Sequence, residues 1–197
     1  MTIFSMWKNI RMVALVAVTA ALYAAVLIPF KAFVIIPGFT EVRPANAIPI
    51  VCSLLFGPAA AWGAAIGNLV GDFFGTLTLG SLFGFIGNFF YGWIPFLVWR
   101  AIVGKDAQLS GARQVVAFIA GTLLSSFICA AIIAPGVQAI GGPPVKILGP
   151  AIFLNNAVVG LSLGAVLLLA LFPAVRAMGM TYDQLVAHNT SQTRDLD

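Results

Sequence analysis

Apolar residues fill this chain in long runs, and the breaks between them are short and rich in Gly, Pro or charge. The first run covers residues 10–30 and ends around Pro29; the next, 44–56, is shorter, opens at Pro44 and carries Pro49. Gly57-Pro58 then reads as a tight turn before a Gly/Ala-rich run at 59–74. Further runs follow at 79–99, 114–134 and 150–175, with the one clearly hydrophilic internal loop at 100–113 and a Gly/Pro-rich loop at 135–146. Most of these runs approach the ~20 apolar residues needed to cross a bilayer core of about 30 Å. The pattern predicts an all-α integral membrane protein, a bundle of six transmembrane helices over residues 1–180, followed by a polar C-terminal tail at 181–197. An even number of spans puts both termini on one side.

Composition excludes the alternative of a soluble domain. Of 197 residues, 61% are hydrophobic and 8% charged, and the mean hydropathy is +1.05; a soluble surface carries far more charge. The formal net charge of +4 therefore speaks to topology and not to nucleic acid. If the N-terminus is cytoplasmic, then Lys8, Arg11, Arg100, Lys105, Arg113, Arg176 and Arg194 are cytoplasmic too, and only Lys31, Arg43 and Lys146 lie outside. The positive-inside rule selects this orientation, in a cell's inner (plasma) membrane. The first run exceeds the 7–15 residues of a signal-peptide core, so it reads as an uncleaved span.

Under this topology the uncommon polar residues gather in the outer half. Glu41 and Arg43 lie in the first outer loop, Asn46 begins the second span, Asn68 and Asp72 end the third, and Asn155 and Asn156 begin the sixth, with Gln138 and Lys146 nearby. Asn68 and Asp72 are four residues apart and share a helix face. Polar and ionisable groups at membrane depth are costly and by default mark a functional site. The candidate substrate-binding set is Glu41, Arg43, Asn46, Asn68, Asp72, Asn155 and Asn156, for a small solute captured from outside. Plainer roles exist for each: an interfacial ion pair for Glu41 and Arg43, helix-end hydrogen bonding for Asn68 and Asp72, helix-to-helix glue for Asn155 and Asn156. The aromatic residues, Tyr91 among them, read mostly as lipid-facing or packing side chains. Asn88 stands near the middle of the fourth span.

Enzyme signatures are missing. The single His, His188, falls in the tail, and no G-x-x-x-x-G-K-[ST] phosphate loop occurs. Cys52 and Cys129 lie inside apolar runs without metal-site spacing and read as small core residues. Neither cofactor nor metal is expected, and any ATP-driven uptake would need a separate ATPase polypeptide.

The first span carries alanines at 17, 21 and 25, and again at 20 and 24; four-residue spacing of small side chains lets another helix approach closely. With the chain's size, its six runs, and the Leu55-Phe56-Gly57-Pro58-Ala59 connection to a Gly/Ala-rich third span, this pattern resembles the substrate-binding S components of energy-coupling factor (ECF) vitamin transporters. Val42-Arg43-Pro44-Ala45-Asn46-Ala47, Gly67-Asn68 and Gly80-Ser81 are distantly similar to the queuosine-precursor members of that family; this chain has Asn46 where those members usually carry an acidic residue, which leaves the substrate open, another vitamin such as cobalamin included. The resemblance implies a high-affinity micronutrient-binding subunit that docks through Ala17, Ala21 and Ala25 onto a membrane coupling subunit bearing two ABC ATPases, and topples to deliver its ligand. It further implies that the loop at 31–43 and the loop after the fifth span act as lids. A solitary carrier working without an ATPase and a non-transport membrane scaffold are the rival readings.

Overall fold

In the computed structural model, residues 2–36, 40–41, 43–75, 77–105 and 108–187 are described. Among the described residues, six α-helices of ten residues or more form: α1 Ile10–Phe30, α2 Ala47–Phe56, α3 Pro58–Asp72, α4 Gly80–Ile102, α5 Ala112–Ala139 and α6 Val145–Ala177. Two short antiparallel strands, β1 Val34–Ile36 and β2 Thr40–Glu41, lie between α1 and α2. The protein is an all-α membrane protein in which α1, α4, α5 and α6 are long and apolar enough to cross a bilayer.

The expectation of six spans is corrected in one respect. With ten residues, α2 is about 15 Å long, and α3 with fifteen is about 22 Å, so neither crosses ~30 Å of hydrocarbon alone. They sit inside the bundle instead. Every α2 residue except Ile48 and Leu54 is buried, which suits a helix apolar on all sides. The two helices turn back to back at Gly57, whose φ of 57° is strained for any residue with a Cβ.

α3 packs on α1 through glycines. A Cβ at Gly63 would stand 2.5 Å from the Cβ of Thr19, one at Gly67 would stand 2.8 Å from the Ala20 carbonyl oxygen, and one at Gly71 would stand 2.5 Å from a Leu27 methyl. The i, i+4, i+8 spacing keeps these three positions on one face, and their missing side chains let the two backbones close. The face of α1 that meets them includes Thr19, Ala20, Tyr23, Ala24 and Leu27, all buried. Asn9 starts α1 cleanly: its side chain accepts from the amides of Arg11 at 3.0 Å and Met12 at 3.2 Å, serving donors a helix start leaves open.

α5 and α6 both run further than the Gly/Pro pattern suggests. α5 continues through Pro135 to Ala139, and α6 starts at Val145 and passes through Pro150. The loop expected at 135–146 shrinks to a turn at 140–144, where Gly141 takes a φ of 90°. Gln138 closes it, its side-chain oxygen accepting from the Val145 amide at 2.6 Å. At the start of the C-terminal segment, residues 182–187 are helical, and Tyr182 and Leu185 are buried in the largest apolar cluster with Met6, Met12, Leu55, Phe56 and Phe172.

Candidate functional site: a buried amide network

Five elements deliver polar side chains to one level of the bundle, toward the end where α1 and α3 finish and α4 begins. Asn46 stands immediately before α2, Asn68 and Asp72 are in the last turns of α3, Asn88 is nine residues into α4, Asn156 is in the first half of α6, and Tyr23 comes from α1. All six are buried. Burial of so many amides is tolerable only when each finds a partner, and these bond to one another across helices.

Asn46 is the hub. Its amide nitrogen donates to Asn156 Oδ1 at 2.6 Å, and its Oδ1 faces the Tyr23 hydroxyl at 3.0 Å. The same hydroxyl lies 3.0 Å from Asn88 Oδ1, and Asn88 donates to the Gly84 carbonyl at 2.9 Å. Tyr91, wholly buried, aims its hydroxyl at the main-chain carbonyls of Asn46 and Asn156, at 3.1 and 3.0 Å. A hydroxyl carries one donor proton, so both tyrosines are shared between two acceptors.

A charged layer adjoins this network. Arg43 Nη1 donates to Asn68 Oδ1 at 3.1 Å, and the Arg43 amide donates to Asn155 Oδ1 at 3.3 Å. Asn68 in turn donates to Asp72 Oδ2 at 3.3 Å, and Lys31 Nζ lies 3.5 Å from Asp72 Oδ1. The Lys31 and Asp72 side chains are only 10% and 8% exposed, so this pair is shielded from the solvent screening that weakens surface ion pairs. Gly84 leaves the room Asn68 needs: a Cβ there would stand 2.9 Å from Asn68 Nδ2.

Of the sequence-predicted set, Arg43, Asn46, Asn68, Asp72, Asn155 and Asn156 come together, Asn155 as a half-buried member at the edge. Glu41 belongs to β2, and its side chain lies outside the described residues. Gln138 serves the α5–α6 turn instead. The residues that sequence reading missed are Tyr23, Asn88 as a network member, and Tyr91, which neither faces lipid nor merely packs. A signal was available: Gly84, Asn88, Tyr91 and Pro95 follow i, i+4, i+7, i+11 on one face of α4, and Tyr23 shares a face with Ala20, Ala24 and Leu27. The docking candidates sit elsewhere. Ala17, Ala21 and Ala25 are exposed on α1, flanked by exposed Val18 and Leu22, while Ala20 and Ala24 are buried. Among the described residues no group of three His, Cys, Asp or Glu could hold a metal ion; Cys52 and Cys129 are free and buried.

A multi-pass helical bundle that buries a converging set of amides and charges has the build of a membrane transport protein, since such groups inside a bundle mark solute pathways. Comparison with known families makes the assignment specific. The family model described as QueT transporter matches residues 13–173, and the chain belongs to that family, which makes it a transport protein and not an enzyme. No curated protein and no solved structure matches it.

Proposed function

We propose that this protein is the substrate-binding subunit of an ECF-type importer for a queuosine precursor, holding its ligand against the network of Arg43, Asn46, Asn68, Asp72, Asn155 and Asn156. Glu41 belongs to the same proposed set from the strand beside it. The observation that carries the reading is the convergence of these polar side chains, from separate elements, on one level of a bundle whose buried residues are mostly apolar. A queuosine precursor is a 7-deazaguanine, whose pairing edge offers ring N–H and amino donors beside a carbonyl acceptor. Asp72 is suited to accept from those donors, and Arg43 and the asparagine amides to donate to the carbonyl.

The positive-inside rule favours both termini in the cytoplasm, which puts the amide network toward the outside, where a scarce solute is met. Ala17, Ala21 and Ala25 form the docking face for a membrane coupling subunit carrying two ATPases in trans: they are exposed, small, and set on the side of α1 away from the ligand network. The test is uptake of radiolabelled 7-deazaguanine by cells expressing the chain with and without the coupling subunits. Uptake should need both, and mass spectrometry of the purified protein should find the base. Full uptake without the coupling subunits would favour a solitary carrier; no bound base and no uptake would leave a scaffold role.

A further inference from the structure

We propose that the groove between α5 and α6 is a binding site for one anionic phospholipid, with an acyl chain along its apolar wall and the phosphate against Arg176. The site lies apart from the amide network and does not depend on the functional reading above.

A cavity of about 390 Å³ opens between the two helices near the end where α5 begins and α6 finishes. Its wall is apolar: Phe118 and Ile119 come from α5, Leu161, Ala165 and Leu168 from α6, and Leu109 from the α4–α5 connection. Both helices are long and apolar enough to cross a bilayer. Ile119 and Leu169 on its border are 42% and 64% exposed, so the cavity opens toward lipid tails.

A second hollow of about 650 Å³ adjoins the first, since Leu109 and Leu169 line both. This one is polar on one side, where Gln108, Ser110, Arg176 and Gln184 line it. Gln184 is engaged at home: its amide donates to the Arg176 carbonyl at 3.0 Å, and its oxygen accepts from the Thr181 hydroxyl at 2.7 Å. The Arg176 guanidinium, with Gln108 and Ser110 beside it, is left to meet a ligand. Asp183 borders Arg176 in a neighbouring crevice, but Arg100 holds that carboxylate at 2.6 Å and counters its charge.

The depth of the groove fits a lipid. Leu161 and Arg176 stand fifteen residues apart on α6, about 22 Å along the helix axis. One leaflet is half of a bilayer of about 40–45 Å with its headgroups, and so has the same depth. An acyl chain lying beside Leu161, Ala165 and Leu168 therefore brings its phosphate to the level of Arg176. A guanidinium offers a planar fork of donors suited to phosphate, whereas a purely apolar helix in the groove would offer it no anion. In the orientation the positive-inside rule favours, this end faces the cytoplasmic leaflet, whose surface potential is negative.

The test is native mass spectrometry of the full chain in detergent, titrated with phosphatidylglycerol or phosphatidylcholine of identical acyl chains. The natural sequence should hold one phosphatidylglycerol about fivefold more tightly than phosphatidylcholine, the effect of one arginine beside an anionic headgroup. Arg176→Gln should bring that ratio below about twofold. Ala165→Trp fills the apolar cavity and leaves the charge; it should weaken both lipids at least about tenfold, as when about two methylenes lose their apolar contact. Equal binding of the two lipids by the natural sequence overturns the inference. So does an unchanged ratio in Arg176→Gln, or unchanged retention in Ala165→Trp, and either variant decides alone if the other does not fold. A dimer that Ala165→Trp takes apart would seat a second copy in the groove and overturns it too.

Discussion

The two ends of the bundle solve the same problem in different ways. Each holds charge in a largely apolar protein. At the Asn46 end the polar groups are numerous, come from five elements, and bond mostly to side chains that also have further partners. At the opposite end Arg100 is held by Asp183 at 2.6 Å and lies 5.2 Å from the Phe96 ring and 5.3 Å from the Tyr182 ring. Tyr182 packs edge-on against Phe96 with centroids 5.0 Å apart and covers Gly57, where a Cβ would stand 2.9 Å from the ring. Rings and the Arg100–Asp183 pair close one end; amides from four elements, joined by Tyr23 from a fifth, hold directional donors and acceptors at fixed places. The first arrangement contributes packing, and the second is what recognition of a polar solute requires.

Substitutions that attack one end and spare the other sharpen the contrast. The largest effect is expected at the α1–α3 contact on which the amide network stands. Gly67→Leu forces a side chain into the Ala20 backbone and should cost on the order of 3 kcal/mol, seen as loss of monodisperse protein in detergent. Tyr182→Ala opens the ring stack at the opposite end; about 2–3 kcal/mol of stability should go, read as a lower thermal midpoint, with the ligand affinity of the surviving folded protein unchanged. Asp72→Asn keeps the shape but removes the charge that faces Lys31. Base binding should weaken at least about tenfold, equivalent to ~1.4 kcal/mol, with a smaller change in thermal midpoint. The smallest effect is expected for Asp183→Asn, a partly exposed pair worth no more than about 1 kcal/mol; uptake should stay within about twofold of the natural sequence.

Legibility in the sequence also differed between the two regions. α1 was plain because its apolar run, from residue 12 to 30, has no charged break. The gathering of Asn46, Asn68, Asp72 and Asn156 was readable because amides and carboxylates are rare in such runs, and a six-helix topology carries them to one level. Tyr23 and Tyr91 were passed over, because a tyrosine in a span reads equally as a member of the interfacial belt; the faces that Tyr91 shares with Asn88 and Tyr23 with Ala20 were a signal for their burial, and the positions of the surrounding carbonyls and amides give their hydroxyls a role. Pro135 and Pro150 misled for a physical reason: in a bundle, neighbouring helices and side chains can compensate the hydrogen bond a proline removes, so α5 and α6 run through residues that would end a helix in water. The docking of Tyr182 and Leu185 was hidden because the segment is short and its polar residues mask the two apolar anchors; Asp183 and Gln184 add contacts to Arg100 and to the Arg176 carbonyl.

The most direct test is equilibrium binding of radiolabelled 7-deazaguanine to the purified protein in nanodiscs, compared among the natural sequence, Asn68→Ala and Arg100→Gln. The account predicts that the natural sequence and Arg100→Gln bind alike and that Asn68→Ala loses at least about tenfold in affinity. Equal binding by Asn68→Ala, or a loss confined to Arg100→Gln, would contradict it.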